Sequence, residues 1–285
     1  MIPPGPIALT LASAVVHAGW NLAFGRLSRD SDQGAGPSAG ATAVCCGVLV
    51  WTPVAAFTWS LSPAALPWAG ASALAELGYM IALSRLYRRE PVERGYPVAR
   101  GLAPVAVLAV TAALGTAVTA VQALGVVAVC AGVLLTARVP GGPGRGRLIA
   151  LAAPVSACIA TYTLLDAVGV RLGSATAYLW VTMTPVGIAL LAGAVRSQGA
   201  AAAFSGFRSG TAWITGAGIF LAYGLTLLAL REASAAQVPV VAAVRETSVI
   251  MLPLLTWAIT RARLPARVVV GSWIILAGML LLRRG

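Results

Sequence analysis

The chain has 285 residues, of which 59% are hydrophobic and only 10% charged, with a mean hydropathy of +0.88. Soluble domains usually carry about 25% charged residues, so one water-soluble core cannot hide this much apolar surface, and the composition reads as that of an integral membrane protein. The net charge of +12 comes from arginines alone, with no lysine; they are dispersed over short breaks, which excludes a duplex-binding domain and makes phospholipid headgroups the expected partner.

A spanning helix needs roughly 20 mostly apolar residues. The sequence predicts ten in chain order, at 5–25, 39–59, 66–86, 97–115, 119–137, 147–167, 175–195, 211–230, 237–259 and 267–283. The runs are continuous rather than alternating, so helices are expected instead of barrel strands. The first stretch is read as a helix and not as a signal peptide, because it lacks a basic start and stays apolar through Trp20 to Phe24. Ten stretches nearly exhaust the chain, so any function must sit among the helices. Fourteen loop arginines follow the odd-numbered stretches and four lie on the other side, which places the odd loops in the cytoplasm and both termini outside. Cys45, Cys46, Cys130 and Cys158 all fall within apolar spans and read as small hydrophobes, not as a disulfide framework or a zinc site. One histidine in the chain excludes a multi-histidine metal centre, and no metal or cofactor is expected.

Comparing the chain with itself reveals a repeat. CAGVLLT at 130–136 recurs as LAGMLLL at 276–282, and Gly125 and Gly132 recur as Gly271 and Gly278. Arg100 aligns with Arg245, Tyr79 with Tyr223 and Trp20 with Tyr162, all in the same order. The predicted architecture is therefore an all-α membrane protein of ten transmembrane helices in two five-helix repeats, residues 1–138 and 147–285, joined by a linker at 139–146. An odd number of helices per repeat inverts the second half in the membrane. In transporters built this way, substrate binds near the midplane at the repeat interface. The glycines spaced seven apart on the fifth and tenth stretches suit close helix packing, so those two helices are expected to form contacts between repeats or in a dimer rather than to line the path.

The motifs HAGWN (17–21), YPVARGLAP (96–104), ALGVVAVCAGVLL (123–135), TYTLLDAVG (161–169) and AAVRETSV (242–249), taken with the repeat, resemble a ten-helix member of the drug/metabolite transporter superfamily of EamA type. The resemblance covers essentially the whole chain. It implies a multi-pass protein of the bacterial inner membrane that moves small molecules. It also implies cytoplasmic termini, opposite to the arginine count. The family's Gly-Glu turn before helices 5 and 10 is absent: Thr116 and Ala262 stand at the glutamate positions, so a turn-capping role for those glutamates does not carry over.

Charged residues inside a membrane span face the bundle interior and find partners. Arg245 lies deep in its span. Arg100 is closer to an end and reads either as a cavity residue or as a snorkelling anchor. Together they could grip an anionic group. Tyr96 and Pro97 precede Arg100 and Pro104 follows it; the two prolines are expected to break or bend that helix. Glu246 reads as a proton-exchanging carboxylate or as an ion-pair partner of Arg100, with Ser248 on the same turn. His17, Trp20 and Asn21 share one face of the first helix. Glu76 and Tyr79 share another on the third, and Tyr223 repeats Tyr79. Tyr162 pairs at helical spacing with Asp166, which is placed near a wetted helix end.

These residues point to a secondary transporter, an exporter driven by protons or by exchange, acting on a small polar metabolite with zwitterions or anions preferred. It is expected to work as a monomer or homodimer, without nucleic acid. The carboxylates and aromatic rings leave open an organic-cation exporter. An intramembrane enzyme is disfavoured by the scarcity of candidate nucleophiles and bases. No nucleotide-binding loop is present, and a non-transporting assembly subunit is the remaining alternative.

Overall fold

In the computed structural model, backbone is described for residues 4–30, 38–87, 89, 92–136, 145–251 and 265–284, and side chains for these except 21–22, 24–30, 38–39, 84, 87, 92–97, 145 and 283–284. The described residues form eleven helices and no strand. They are α1 (Pro4–Asp30), α2 (Ser38–Phe57), α3 (Leu66–Tyr87), α4 (Val92–Ala113), α5 (Ala120–Thr136), α6 (Arg145–Gly169), α7 (Ala175–Gln198), the two-turn α8 (Ala200–Ser205), α9 (Gly210–Glu232), α10 (Val238–Arg245) and α11 (Ala266–Arg284). Without water in the hydrocarbon core, each apolar run satisfies its own backbone by coiling. Five helical segments among the described residues are long and apolar enough to span a membrane: 40–57, 63–83, 146–172, 175–198 and 210–232. The described residues are thus those of a helical membrane protein.

Polar residues cap the ends. Ser174 accepts from the Ala177 backbone at the start of α7, and Gly199, with φ +83°, closes its end. Before α5, Thr119 and Gln122 exchange reciprocal 3.1 Å bonds between side chain and backbone, a capping box. Thr116 precedes that cap by one turn of sequence, and the capping work that a glutamate might do there is done by Thr119 and Gln122. Ala262 lies outside the described residues.

The helices pack in antiparallel pairs. In α1 and α9, Ser13 Oγ donates to Ala222 O at 2.6 Å and meets Thr226 Oγ1 at 2.9 Å. In α3 and α6, Ser72 meets Asp166 and Tyr79 meets Tyr162. In α2 and α7, Thr58 Oγ1 lies 2.6 Å from Thr176 Oγ1 and Cys45 faces Gly187 O. In α5 and α11, Gly125 lies against Gly278 and Leu282, and Gly132 against Gly271 and Ile275. The glycines let these two backbones approach closely, as their spacing foretells. Large apolar side chains point outward: Phe57 is 91% exposed and Leu114 76%. The buried polar set includes His17, Glu76, Arg100, Asp166 and Glu246. This inside-out distribution suits a lipid solvent.

Candidate functional site

Two arginines, Arg100 and Arg245, are the only ones not exposed among those whose side chains are described. α4 begins at Val92, so Arg100 lies two turns inside it, about 12 Å along the axis at 1.5 Å per residue. It is 1% exposed, and its Nε donates to Glu246 Oε2 at 2.9 Å. The snorkelling alternative therefore gives way to a buried ion pair between α4 and α10. Glu246 is 2% exposed, and this partnership removes it as the free carboxylate that proton exchange would need.

The expected break at Pro97 and Pro104 does not occur in the helix assignment: α4 runs without interruption from Val92 to Ala113. The side chains of Pro97 and Tyr96 lie outside the described residues. Pro104 is buried and lines a cavity beside Arg245. The interruption falls in the other half. α10 stops at Arg245, Glu246 and Thr247 form a turn, and helix resumes at Ser248. Bonds there run three residues back, from Glu246 N to Ala243 O, Thr247 N to Val244 O and Val249 N to Glu246 O. Such tightening between two helical segments marks strained or hinge-like positions.

Arg245 makes no ion pair among the described residues. Its guanidinium stacks 5.9 Å from the Tyr162 ring centroid and 6.0 Å from that of Tyr223, within cation–π range, and its buried Nε has no hydrogen-bond partner. Tyr79, Tyr162 and Tyr223 form a ladder with successive ring centroids 6.1 and 6.2 Å apart. On α1, His17 is buried and meets Trp20 edge-on at 4.7 Å, and Trp20 packs over Gly218 on α9. The Asn21 side chain lies outside the described residues. Ser248 Oγ is buried without a partner.

Asp166 is not wetted. It is 0% exposed and accepts from Ser72 at 2.6 Å and Tyr178 at 3.0 Å through Oδ1, and from Tyr223 at 2.5 Å through Oδ2. Three hydroxyls thus hold one carboxylate between α3, α6, α7 and α9. Glu76 is also buried. The sequence singled out Glu76 and Glu246 but placed Asp166 at a wetted helix end. Of the chain's eight acidic residues, three fall within the predicted apolar stretches, Glu76, Asp166 and Glu246, and all three are buried. No sequence signal marked Ser72 or Tyr178, ordinary residues of apolar helices until the packing aims them at Asp166.

A cavity of about 10 Å³ opens between Pro104, Ile159, Thr163, Thr226, Arg245 and Glu246, room for no more than one water. The site therefore presents one ring-stacked guanidinium, one neutralised ion pair and two further buried carboxylates, Asp166 and Glu76. Among the described residues, no three histidine, cysteine or acidic side chains are grouped to hold a metal.

No protein-family model and no curated protein matches the chain in sequence. In architecture it is similar to a solved structure titled only "Crystal structure of protein", with a TM-score of 0.74 and 14% identity over 99% of each chain. At that identity the likeness concerns the helical fold alone.

Proposed function

We propose that this chain is a secondary transporter of the drug/metabolite superfamily type, moving a small polar metabolite through alternating access at the interface of two inverted five-helix repeats. The observation that carries this is the convergence of His17, Glu76, Arg100, Asp166, Arg245 and Glu246 from five helices on one buried centre. Membrane proteins place ionisable groups there at a cost, and the usual return is a substrate or ion path.

Helix pairing supports the repeat. Leaving out the two-turn α8 and counting the other ten helices as five plus five, the pairing of α1 with α9 corresponds to that of α6 with α3, and α2 with α9 to α7 with α3. α2 and α7 are counterparts and pack antiparallel, as do α5 and α11. A two-fold axis in the membrane plane relates helices in this sense. The small cavity fits a substrate-free, occluded form, so entry requires the halves to part. The localisation that follows is the bacterial inner membrane.

The substrate preference is a zwitterion or anion held by Arg245. Arg100, engaged with Glu246, is withdrawn from the two-arginine clamp that the sequence suggests. The test is a thermal-shift screen of purified protein with anionic, zwitterionic and cationic metabolites. A ligand at about 100 times its Kd adds roughly 2.7 kcal/mol to native stability. Zwitterions or anions are expected to stabilise the wild type and to lose that shift in Arg245→Gln. Stabilisation by organic cations alone, unchanged in Arg245→Gln, would establish the cation exporter instead.

A further inference from the structure

The two arginines that the repeat aligns are held in different ways. Arg100 spends its charge on Glu246, whereas Arg245 makes no ion pair among the described residues and lies over two rings, Tyr162 at 5.9 Å and Tyr223 at 6.0 Å. The carboxylate behind them, Asp166, bonds the ring: the Tyr223 hydroxyl donates to its Oδ2 at 2.5 Å. Ser72 of α3 and Tyr178 of α7 donate to Oδ1 at 2.6 and 3.0 Å, so the carboxylate is itself pinned and does not turn with the ring it holds. Helix α6 supplies both sides of this arrangement. Tyr162 and Asp166 stand four residues apart on it, on one helical face, so one element places the first ring over Arg245 and fixes the second. The first repeat lacks the device. Trp20 aligns with Tyr162, and four residues beyond Trp20 stands Phe24, whose side chain offers no acceptor.

We propose that Asp166 is a positioning residue for substrate binding at Arg245, acting through Tyr223. A tyrosine ring turns about two side-chain torsions, the outer one broad, and a hydrogen bond at the hydroxyl, its far end, restrains both. A bond donated to a carboxylate is charge-assisted and polarises the donor, which makes the ring face more attractive to a cation. Both effects order the guanidinium without occupying its N–H groups. A guanidinium has five N–H donors; the buried Nε of Arg245 has no partner, and the residue lines the cavity beside Pro104, Thr226 and Glu246. A carboxylate bonded directly to Arg245 would compete with an anionic substrate group, as Glu246 does at Arg100. Set back by one ring, Asp166 holds the cation in place and leaves it open to a ligand carboxylate. The inference rests on the transporter reading for its substrate half only; the ordering of Arg245 stands on the contacts themselves.

Nuclear magnetic resonance of the full chain in detergent, carrying isotope-labelled arginine and no ligand, reads the ordering. The Nε–H resonance of Arg245 is identified by its loss in Arg245→Gln, and ring currents should displace it from those of the exposed arginines. Asp166→Asn keeps the side chain's shape but has a single carbonyl oxygen, which cannot accept at both the Oδ1 and the Oδ2 position. The resonance is expected to move toward the exposed arginines in Asp166→Asn and in Tyr223→Phe. The movement should be smaller in Tyr178→Phe, since Ser72 still holds Oδ1 and the Tyr178 ring packs on Gly169. The second readout is the apparent affinity for an equimolar mixture of neutral L-amino acids, titrated by thermal shift. Binding should weaken by about 2- to 30-fold, the range of a cation–π contact, in Asp166→Asn and in Tyr223→Phe, and no further in the double variant, because both break one link. An unmoved resonance in Asp166→Asn, an equal displacement in Tyr178→Phe, or additive losses in the double variant would each overturn the assignment. If Asp166→Asn does not fold, an unmoved resonance in Tyr223→Phe overturns it equally. If the amino acids do not bind the wild type, the substrate reading falls, and the Arg245 resonance decides the positioning role alone.

Discussion

At the scale of single residues, Arg100 and Glu246 illustrate how depth changes the meaning of a charge. Removing one partner of a buried pair leaves the other uncompensated, at a cost of about 3–5 kcal/mol, whereas replacing both with apolar residues of similar volume is often neutral. Arg100→Met and Glu246→Leu are each expected to be strongly destabilising in a denaturation series in detergent, and the double variant to recover most of the loss. A double variant no better than the singles would mean that each residue has further essential partners. Tyr223 makes a smaller, separable case. Tyr223→Phe deprives Asp166 Oδ2 of its 2.5 Å donor, and an unsatisfied buried group costs about 1–3 kcal/mol. The expected result is a stability loss in that range while Arg245-dependent binding persists, since phenylalanine keeps the ring that stacks on Arg245.

At the scale of elements, packing of α5 on α11 depends on having no side chain at four positions. A Cβ on Gly278 would sit 2.9 Å from Gly125 O and from Val129, and backbone atoms cannot rotate away. Gly278→Val should therefore separate the helices and cost about 1–3 kcal/mol or more. Gly193 on α7 has nothing within 4 Å of its would-be Cβ, so Gly193→Ala should be neutral or stabilising by up to about 1 kcal/mol through helix propensity. Melting temperatures of the two variants check the contrast. Element boundaries were largely legible: continuous apolar runs with Ser, Thr and Gly punctuation end where the helices end, because caps and apolar length are local properties. The α4 and α10 interruption was not. Proline predicts a lost donor, but α4 keeps helical geometry through Pro104 and the turn forms instead at Glu246 and Thr247. There the pairing of Glu246 with α4 is a tertiary contact that no spacing rule records.

For the whole molecule, one face is held together by its loops. Leu61 and Gly173 form a β-bridge, Ser62 N donates to Leu172 O at 2.9 Å, and Ser174 N to Ser60 O at 2.5 Å. Arg171 reaches the Ala233 carbonyl, and Thr58 touches Thr176. If alternating access opens this face, a covalent tie between α2 and α7 should arrest it. Thr58→Cys with Thr176→Cys, in a background with the four native cysteines replaced by serine, is expected to lose net flux in proteoliposomes under oxidising conditions and to regain it on reduction. Undiminished flux in the cross-linked protein would show that these helix ends stay together throughout the cycle.

The sequence by itself determined the solvent, the helical class and the positions of the long helices, since apolar length and backbone satisfaction are properties of contiguous residues. It also singled out Arg100, Arg245, Glu246, Glu76 and the tyrosines, because polar groups are conspicuous in apolar runs. Only the tertiary structure decided who meets whom. It paired Glu246 with Arg100 rather than leaving it free, stacked Arg245 on Tyr162 and Tyr223, and buried Asp166 under three hydroxyls. Those outcomes depend on helices far apart in the chain being brought within hydrogen-bonding distance, and short-range pattern carries no record of that geometry.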